Sequence, residues 1–223
     1  TEVYHPYYNL GNSEISNLTV SENGTKYTTL STWNTSGTLS DKAYKCGINR
    51  LSNGVELCWG ISTYGSHTYT IKYNISNFVS ELSDSQMIYW TLIPYDFSNS
   101  IGNVYIKIHS NFNIPDSVGV WGYGNYGGTA YVYDGYIEMQ SDGNLATDEY
   151  MTILVQFPLE SFNCNNKLDY DFNHYLNMAE DGAKQYVDNS SYSSSNGSSF
   201  FNIIFVLFSF IIFIHFLAHS IIS

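Results

Sequence analysis

The strongest pattern along the chain has a period of two. In HTYTIKYNI, Tyr69, Ile71, Tyr73 and Ile75 fall on one side and Thr68, Thr70, Lys72 and Asn74 on the other. NVYIKIH sets Val104, Ile106 and Ile108 opposite Tyr105, Lys107 and His109, and YMTILVQF aligns Met151, Ile153, Val155 and Phe157. Successive side chains of a strand point to opposite faces, so these runs predict half-buried strands. Asn23-Gly24, Asn53-Gly54, Asp134-Gly135 and Asp142-Gly143 punctuate them. Both residue types tolerate positive φ, which suits tight hairpins. Short strands with a turn every 8–12 residues or so predict an all-β fold, an antiparallel β-sandwich over residues 1–163. Its expected core includes Tyr69, Ile71, Tyr73, Trp90, Val104, Ile106 and Ile153.

After Pro158 the period changes. Phe172, Tyr175, Leu176 and Ala179 stand at i, i+3, i+4 and i+7, which predicts a short juxtamembrane helix within residues 164–187. Residues 188–199, DNSSYSSSNGSS, have nothing to bury and read as a Ser-rich linker. The run from Phe200 to Ala218 carries no charge. It is about as long as the roughly 20 residues needed to cross a bilayer, so residues 200–219 are expected to form one transmembrane helix with the lipid bilayer as its partner. No Lys or Arg follows Phe200, so the positive-inside rule does not orient it. Two explanations stay open. Either the protein continues past Ser223, or the tail is a glycolipid-anchor signal with Asn189, Ser190 and Ser191 at the attachment site. Both place residues 1–190 outside the cytoplasm. The chain opens on Thr1 and not on Met, so either a signal peptide has been removed or the N-terminus was trimmed; the first agrees with the tail and is the expectation.

Composition adds a charge argument. The 223 residues hold 8 Lys plus Arg against 20 Asp plus Glu, a formal charge of −12. A field of that sign repels phosphate backbones, which excludes nucleic acid as a natural partner. Aromatic residues make up 17%, with 21 Tyr, and strands accept such rings on a pleated, half-buried surface.

The central block carries a resemblance. AYKCGINRLSNGVELCWGISTYGSHTYTIKYNISNFV, then IYWTLIPYDFSNSIGNVYIKIHSNFNIP, GYGNYGG and MTILVQFP resemble the ectodomain of the predicted bacterial membrane protein family called domain of unknown function 2207. The carried features are Gly65-Ser66-His67-Thr68-Tyr69, the aromatic at Trp90 and the strand ending in Pro115. FNHYLNMAEDGAKQY resembles the helical segment before that family's membrane span. The resemblance covers most of residues 15–188. It implies a signal peptide, an extracytoplasmic β-rich domain, a membrane span and further sequence beyond it, which favours a piece of a longer chain over a glycolipid anchor. It brings no activity and no functional residue.

Candidate chemistry is sparse. In GVWGYGNYGGTAYVYDGY, glycines alternate with Trp121, Tyr123, Tyr126, Tyr131 and Tyr133, rings able to stack on a sugar or a protein partner. The structural alternative is a loop whose rings pack on the sheet. Cys46 and Cys58 flank a turn and form a candidate disulfide, although a two-residue Asn53-Gly54 turn would set Cys58 opposite Asn49. Asp169, Asp171, Asn173, Tyr175, Asn177 and Glu180 mimic a calcium loop, but His174 replaces the glycine that makes its sharp turn, so a helix is the better reading and no metal is expected. No Gly-x-Ser-x-Gly, His-Glu-x-x-His or phosphate loop occurs, and no cofactor or enzymatic activity is expected. The leading expectation is a cell-surface binding module for an envelope protein or glycan. The alternatives are an envelope hydrolase with an unrecognised site and a glycolipid-anchored surface protein of a eukaryotic microbe.

Overall fold

The structure is a computed structural model. It describes residues 1–95, 97, 99–192 and 219–220, with side chains as far as residue 183. The strands are β1 (Glu2–Tyr8), β2 (Ile15–Glu22), β3 (Thr25–Lys26), β4 (Thr28–Leu30), β5 (Lys45–Leu51), β6 (Gly54–Gly60), β7 (His67–Ile75), β8 (Ser80–Glu81), β9 (Gln86–Ile93), β10 (Ile101–Ile108), β11 (Gly119–Tyr123), β12 (Thr129–Tyr133), β13 (Tyr136–Leu145), β14 (Met151–Phe157) and β15 (His219–Ser220). A one-turn helix, α1 (Leu39–Lys42), precedes β5, and α2 (Phe172–Tyr192) follows β14. The fold is mostly β.

Four sheets result, ordered β1-β6-β5-β4, β15-β7-β2-β3, β11-β14-β9-β8 and β10-β13-β12. All named pairs are antiparallel except β4 with β5. The inward faces of all four sheets meet in one apolar core. The seven core residues expected from the sequence are all buried there. Tyr7 of β1 and Tyr73 of β7 join hydroxyls inside it at 2.5 Å.

The Asx-Gly pairs divide into two kinds. Asn23-Gly24 and Asp134-Gly135 have positive φ at both residues and close two-residue hairpins, β2–β3 and β12–β13. The other two pairs are not hairpin tips. Leu51 pairs with Gly54, so Ser52-Asn53 is the tip of β5–β6. Gly54 is needed for another reason, since a Cβ there would overlap the Tyr7 carbonyl of β1. Asp142-Gly143 lies within β13, where the register with β10 shifts between Asn103 and Tyr105. Ser141 spans that bulge. Its hydroxyl accepts from the Val104 amide at 2.9 Å and donates to the Gly143 carbonyl at 2.7 Å.

The β9–β14 sheet is apolar on both faces. Met151, Ile153, Val155 and Phe157 enter the shared core, as the alternation predicts, but Leu154 and Thr152 are buried too. Leu154 meets Leu82, Met87 and Tyr89, and α2 lies over them through Phe172, Tyr175 and Ala179. The helix starts where its apolar spacing starts. Asp171 caps it by accepting from the His174 amide at 3.0 Å, and Asp84, from the turn before β9, accepts from the Phe172 amide at 3.0 Å. The residues that mimic a calcium loop are therefore largely helical. α2 also runs through Asp188 to Tyr192, which composition assigns to the linker. The remainder of the linker and the apolar run to Ala218 lie outside the described residues, among which no helix is long and apolar enough to cross a membrane.

Cys46 and Cys58 are not bridged. Cys46 pairs with Trp59 and Gly47 with Cys58, so register places the two thiols on opposite faces of the β5–β6 sheet. Cys46 enters the shared core. Cys58 lies on the other face, near the Lys42–Glu2 ion pair, and burial pushes its thiol pKa to about 12.

Candidate binding surface

The sheet β10-β13-β12 buries one face and exposes the other. Val104, Ile106 and Ile108 of β10, with Ile137 and Met139 of β13, point to the core. Register sets the opposite face out in rows. Tyr105 and Thr129 flank Gln140, and Lys107 and Tyr131 flank Glu138. Tyr136 stands between Tyr133, its register partner, and His109, whose ring lies 4.7 Å away. Tyr105, Tyr131 and Tyr133 are 47%, 44% and 56% exposed, large values for aromatic rings gathered in one place.

Glu138 holds Tyr105, Tyr131 and the half-buried Tyr136 in position, and Tyr133 packs against the last two. The Glu138 side chain is nearly buried, and three tyrosines donate to it: Tyr105 and Tyr136 to Oε1, the latter at 3.0 Å, and Tyr131 to Oε2 at 3.0 Å. Lys107 lies 3.5 Å from Oε1 and donates to the Tyr136 hydroxyl at 3.0 Å. Its ammonium also sits 4.3 Å from the centroid of the Tyr136 ring, within cation–π range. The Glu138 carboxyl is held below its ordinary pKa, first by the Tyr105 hydroxyl and then, against the cost of desolvation, by Tyr136, Tyr131 and Lys107. The same carboxylate pushes the Tyr105 and Tyr131 phenols up. The hydroxyls thus point inward to one anchor, and ring faces and edges are left for contact. The Tyr131 and Tyr133 rings lie 6.5 Å apart at 87°, and Tyr133 and Tyr136 lie 5.9 Å apart at 83°. The surface is corrugated rather than flat.

The five aromatic residues singled out in the sequence separate. Tyr131 and Tyr133 stand on this face. Tyr126, 98% exposed, is in the short connection between β11 and β12. Trp121 and Tyr123 belong to β11 and turn toward α2, where Trp121 packs on Phe172 at 5.2 Å. Tyr123 is half-buried, and burial raises its phenol pKa to about 12. Tyr105, Tyr136, Lys107 and Glu138 were not singled out. The alternation of NVYIKIH places Tyr105 and Lys107 outward, but nothing in it announces Glu138 as their neighbour.

Residues 3–157 match the family described as "Predicted membrane protein (DUF2207) N-terminal domain". The chain belongs to the DUF2207 family. No curated protein and no solved structure matches it. The DUF2207 match ends at the last residue of β14, so it spans the four-sheet core, includes the tyrosine face and stops before α2.

Two further groupings bear on chemistry. An apolar cleft lies between Phe78, Ile88, Ile114, Phe157 and Phe162, with His109 at its side. Separately, His67 of β7 meets Glu22 of β2, Nδ1 to Oε1 at 2.5 Å, and both side chains are about nine-tenths covered. Nε2 of His67 lies 2.8 Å from the Thr63 carbonyl, which only accepts, so that nitrogen carries a proton. Tyr27 and Ser62 donate to Glu22 Oε2 at 2.8 and 3.2 Å. Both imidazole nitrogens are committed within the protein. Among the described residues, no group of three or more His, Cys, Asp or Glu is placed to hold a metal ion.

Proposed function

We propose that this DUF2207 domain is a binding module held at the outer side of a membrane, with its sheets acting as a β-sandwich scaffold. The tyrosine face of β10-β13-β12 is its recognition surface, and the apolar run from Phe200 to Ala218 is its membrane tether. One observation carries the reading: a nearly buried carboxylate fixes the hydroxyls of Tyr105 and Tyr131, yet their rings remain exposed beside that of Tyr133. Exposed aromatics cost solubility, and rings locked before contact lose little conformational entropy on binding, as recognition surfaces require. The family's description as a membrane protein supports the tether.

The test uses the purified full chain in mild detergent, added to washed cell-envelope particles and measured by sedimentation. Joint replacement of Tyr105, Tyr131 and Tyr133 by Ala is expected to weaken retention at least tenfold without loss of fold. Unchanged retention overturns the assignment of the surface. On intact cells, added protease is expected to release most of the domain, and complete protection reverses the orientation.

A further inference from the structure

The chemistry of the face narrows its ligand. We propose that it binds a neutral saccharide chain, an inference that rests on reading this face as the recognition surface.

Charge is the first argument. The two formal charges at the centre of the face, Lys107 and Glu138, pair with each other and cancel. The chain as a whole carries −12, so an acidic polymer approaches against the field and finds no unpaired cation at the centre to receive it. A cationic ligand fares little better, because Lys107 already occupies the ring face of Tyr136 and one side of the carboxylate.

Composition is the second argument. From the Gln140 row to Tyr136 the outward positions are aromatic, amide, hydroxyl or internally paired, with no Leu, Ile, Val, Met or Arg among them. Protein interfaces are enriched in Met and Arg along with aromatic rings, and their buried centres are apolar. A sugar ring needs something else. It presents apolar C–H faces edged by uncharged hydroxyls. The former suit exposed phenol rings. The latter suit the Gln140 amide, which both donates and accepts, and the Thr129 hydroxyl beside it in register.

Relief is the third. Successive rings stand nearly perpendicular at separations of 5.9 and 6.5 Å, so ring faces and edges alternate along the β12–β13 hairpin. That repeat is on the scale of one sugar unit. It fits a chain of linked rings better than a single flat molecule.

The purified full chain in mild detergent is titrated calorimetrically with a panel of neutral hexasaccharides, of α- and β-linked glucose, β-linked N-acetylglucosamine, mannose and galactose. Polygalacturonate is the anionic control. At least one neutral chain is expected to bind more tightly than the control. Tyr133→Ala is expected to weaken it at least tenfold and Tyr133→Phe by no more than twofold, since the ring and not its hydroxyl makes the contact. Tyr133 is more than half exposed, so an unchanged melting curve shows that the variant is folded. No binding across the neutral panel, preference for polygalacturonate, or binding indifferent to Tyr133→Ala each overturns the proposal. If saccharides fail while the triple tyrosine variant still abolishes envelope retention, only the ligand class is wrong. If neither responds, the recognition surface itself is wrong.

Discussion

Replacing Phe172 by Ala tests whether α2 is a structural cover for β14 or a loosely attached segment. Phe172 is 2% exposed and packs with Trp121, Leu82, Met87 and Leu154. Truncating a buried Phe to Ala costs about 3–5 kcal/mol where the cavity persists. In a domain of this size each kcal/mol moves Tm by about 2–4 °C, so a fall of about 6–20 °C is expected. Trp121→Ala removes the other half of the same contact. The two rings lie 5.2 Å apart and tilted at 40°, and such a pair couples by about 0.5–1.5 kcal/mol beyond the area it buries. The double variant is therefore expected to lose less than the sum of the single losses. The assay is thermal unfolding of the full chain, followed by circular dichroism and tryptophan fluorescence across the four-member cycle. A Phe172→Ala shift below about 2 °C, or a strictly additive cycle, refutes the packing argument. Trp121→Ala is also expected to leave saccharide binding unchanged. If it abolishes binding without loss of stability, Trp121 belongs to the recognition surface after all.

Two other expectations follow from buried groups. The His67–Glu22 contact raises the His67 pKa, chiefly through the hydrogen bond to Glu22, and lowers that of Glu22 although burial acts the other way. The His67 contribution to stability is complete below its ordinary value of 6.5 and is lost as pH rises through the raised value; the Glu22 contribution is complete above 4.5 and is lost as pH falls through the lowered one. Tm is thus expected to lose this increment as pH rises above 6.5, and His67→Gln is expected to flatten that limb; an unaltered Tm–pH profile contradicts the assignment. For the cysteines, the denatured chain is expected to titrate three thiols without reductant, while in the folded state Cys58 reacts with alkylating agents far more slowly than Cys164. A mass that rises by two hydrogens on reduction sinks the opposite-face reading.

Much of the strand pattern is legible from residue type, because a strand shows its period within its own few residues. Tyr69, Ile71, Tyr73 and Ile75 are buried as their alternation implies, and Phe172, Tyr175 and Ala179 face β14 as a helical period implies. Pairing is less legible, since it depends on segments far apart in the chain. Gly54 looks like a turn residue, yet its lack of a side chain serves the approach of β1. Asp142-Gly143 looks like a hairpin, yet Ser141 absorbs the extra residues into a bulge. The candidate surface shows the same limit. Tyr131 and Tyr133 stand out as aromatic residues, but a lone Glu138 between Ile137 and Met139 has no meaning until register brings Tyr105, Lys107 and Tyr131 around it. Trp121 misleads for the matching reason, because its partner is a helix that follows the last core strand.

The hydroxyl pair of Tyr7 and Tyr73 acts as an alignment key between two sheets. Apolar side chains accept many neighbours, so two apolar faces can slide past one another at modest cost. Two interior hydroxyls cannot. Strand β1 belongs to one sheet and β7 to another, and the two phenols satisfy each other at 2.5 Å within the core. Sliding β1 by one two-residue repeat, roughly 7 Å, would part them. Each hydroxyl orphaned in the interior then costs about 1–3 kcal/mol. Mispacked arrangements therefore carry a penalty that apolar contacts alone would not impose, so this pair selects a single stacking of the sheets from several of similar apolar burial.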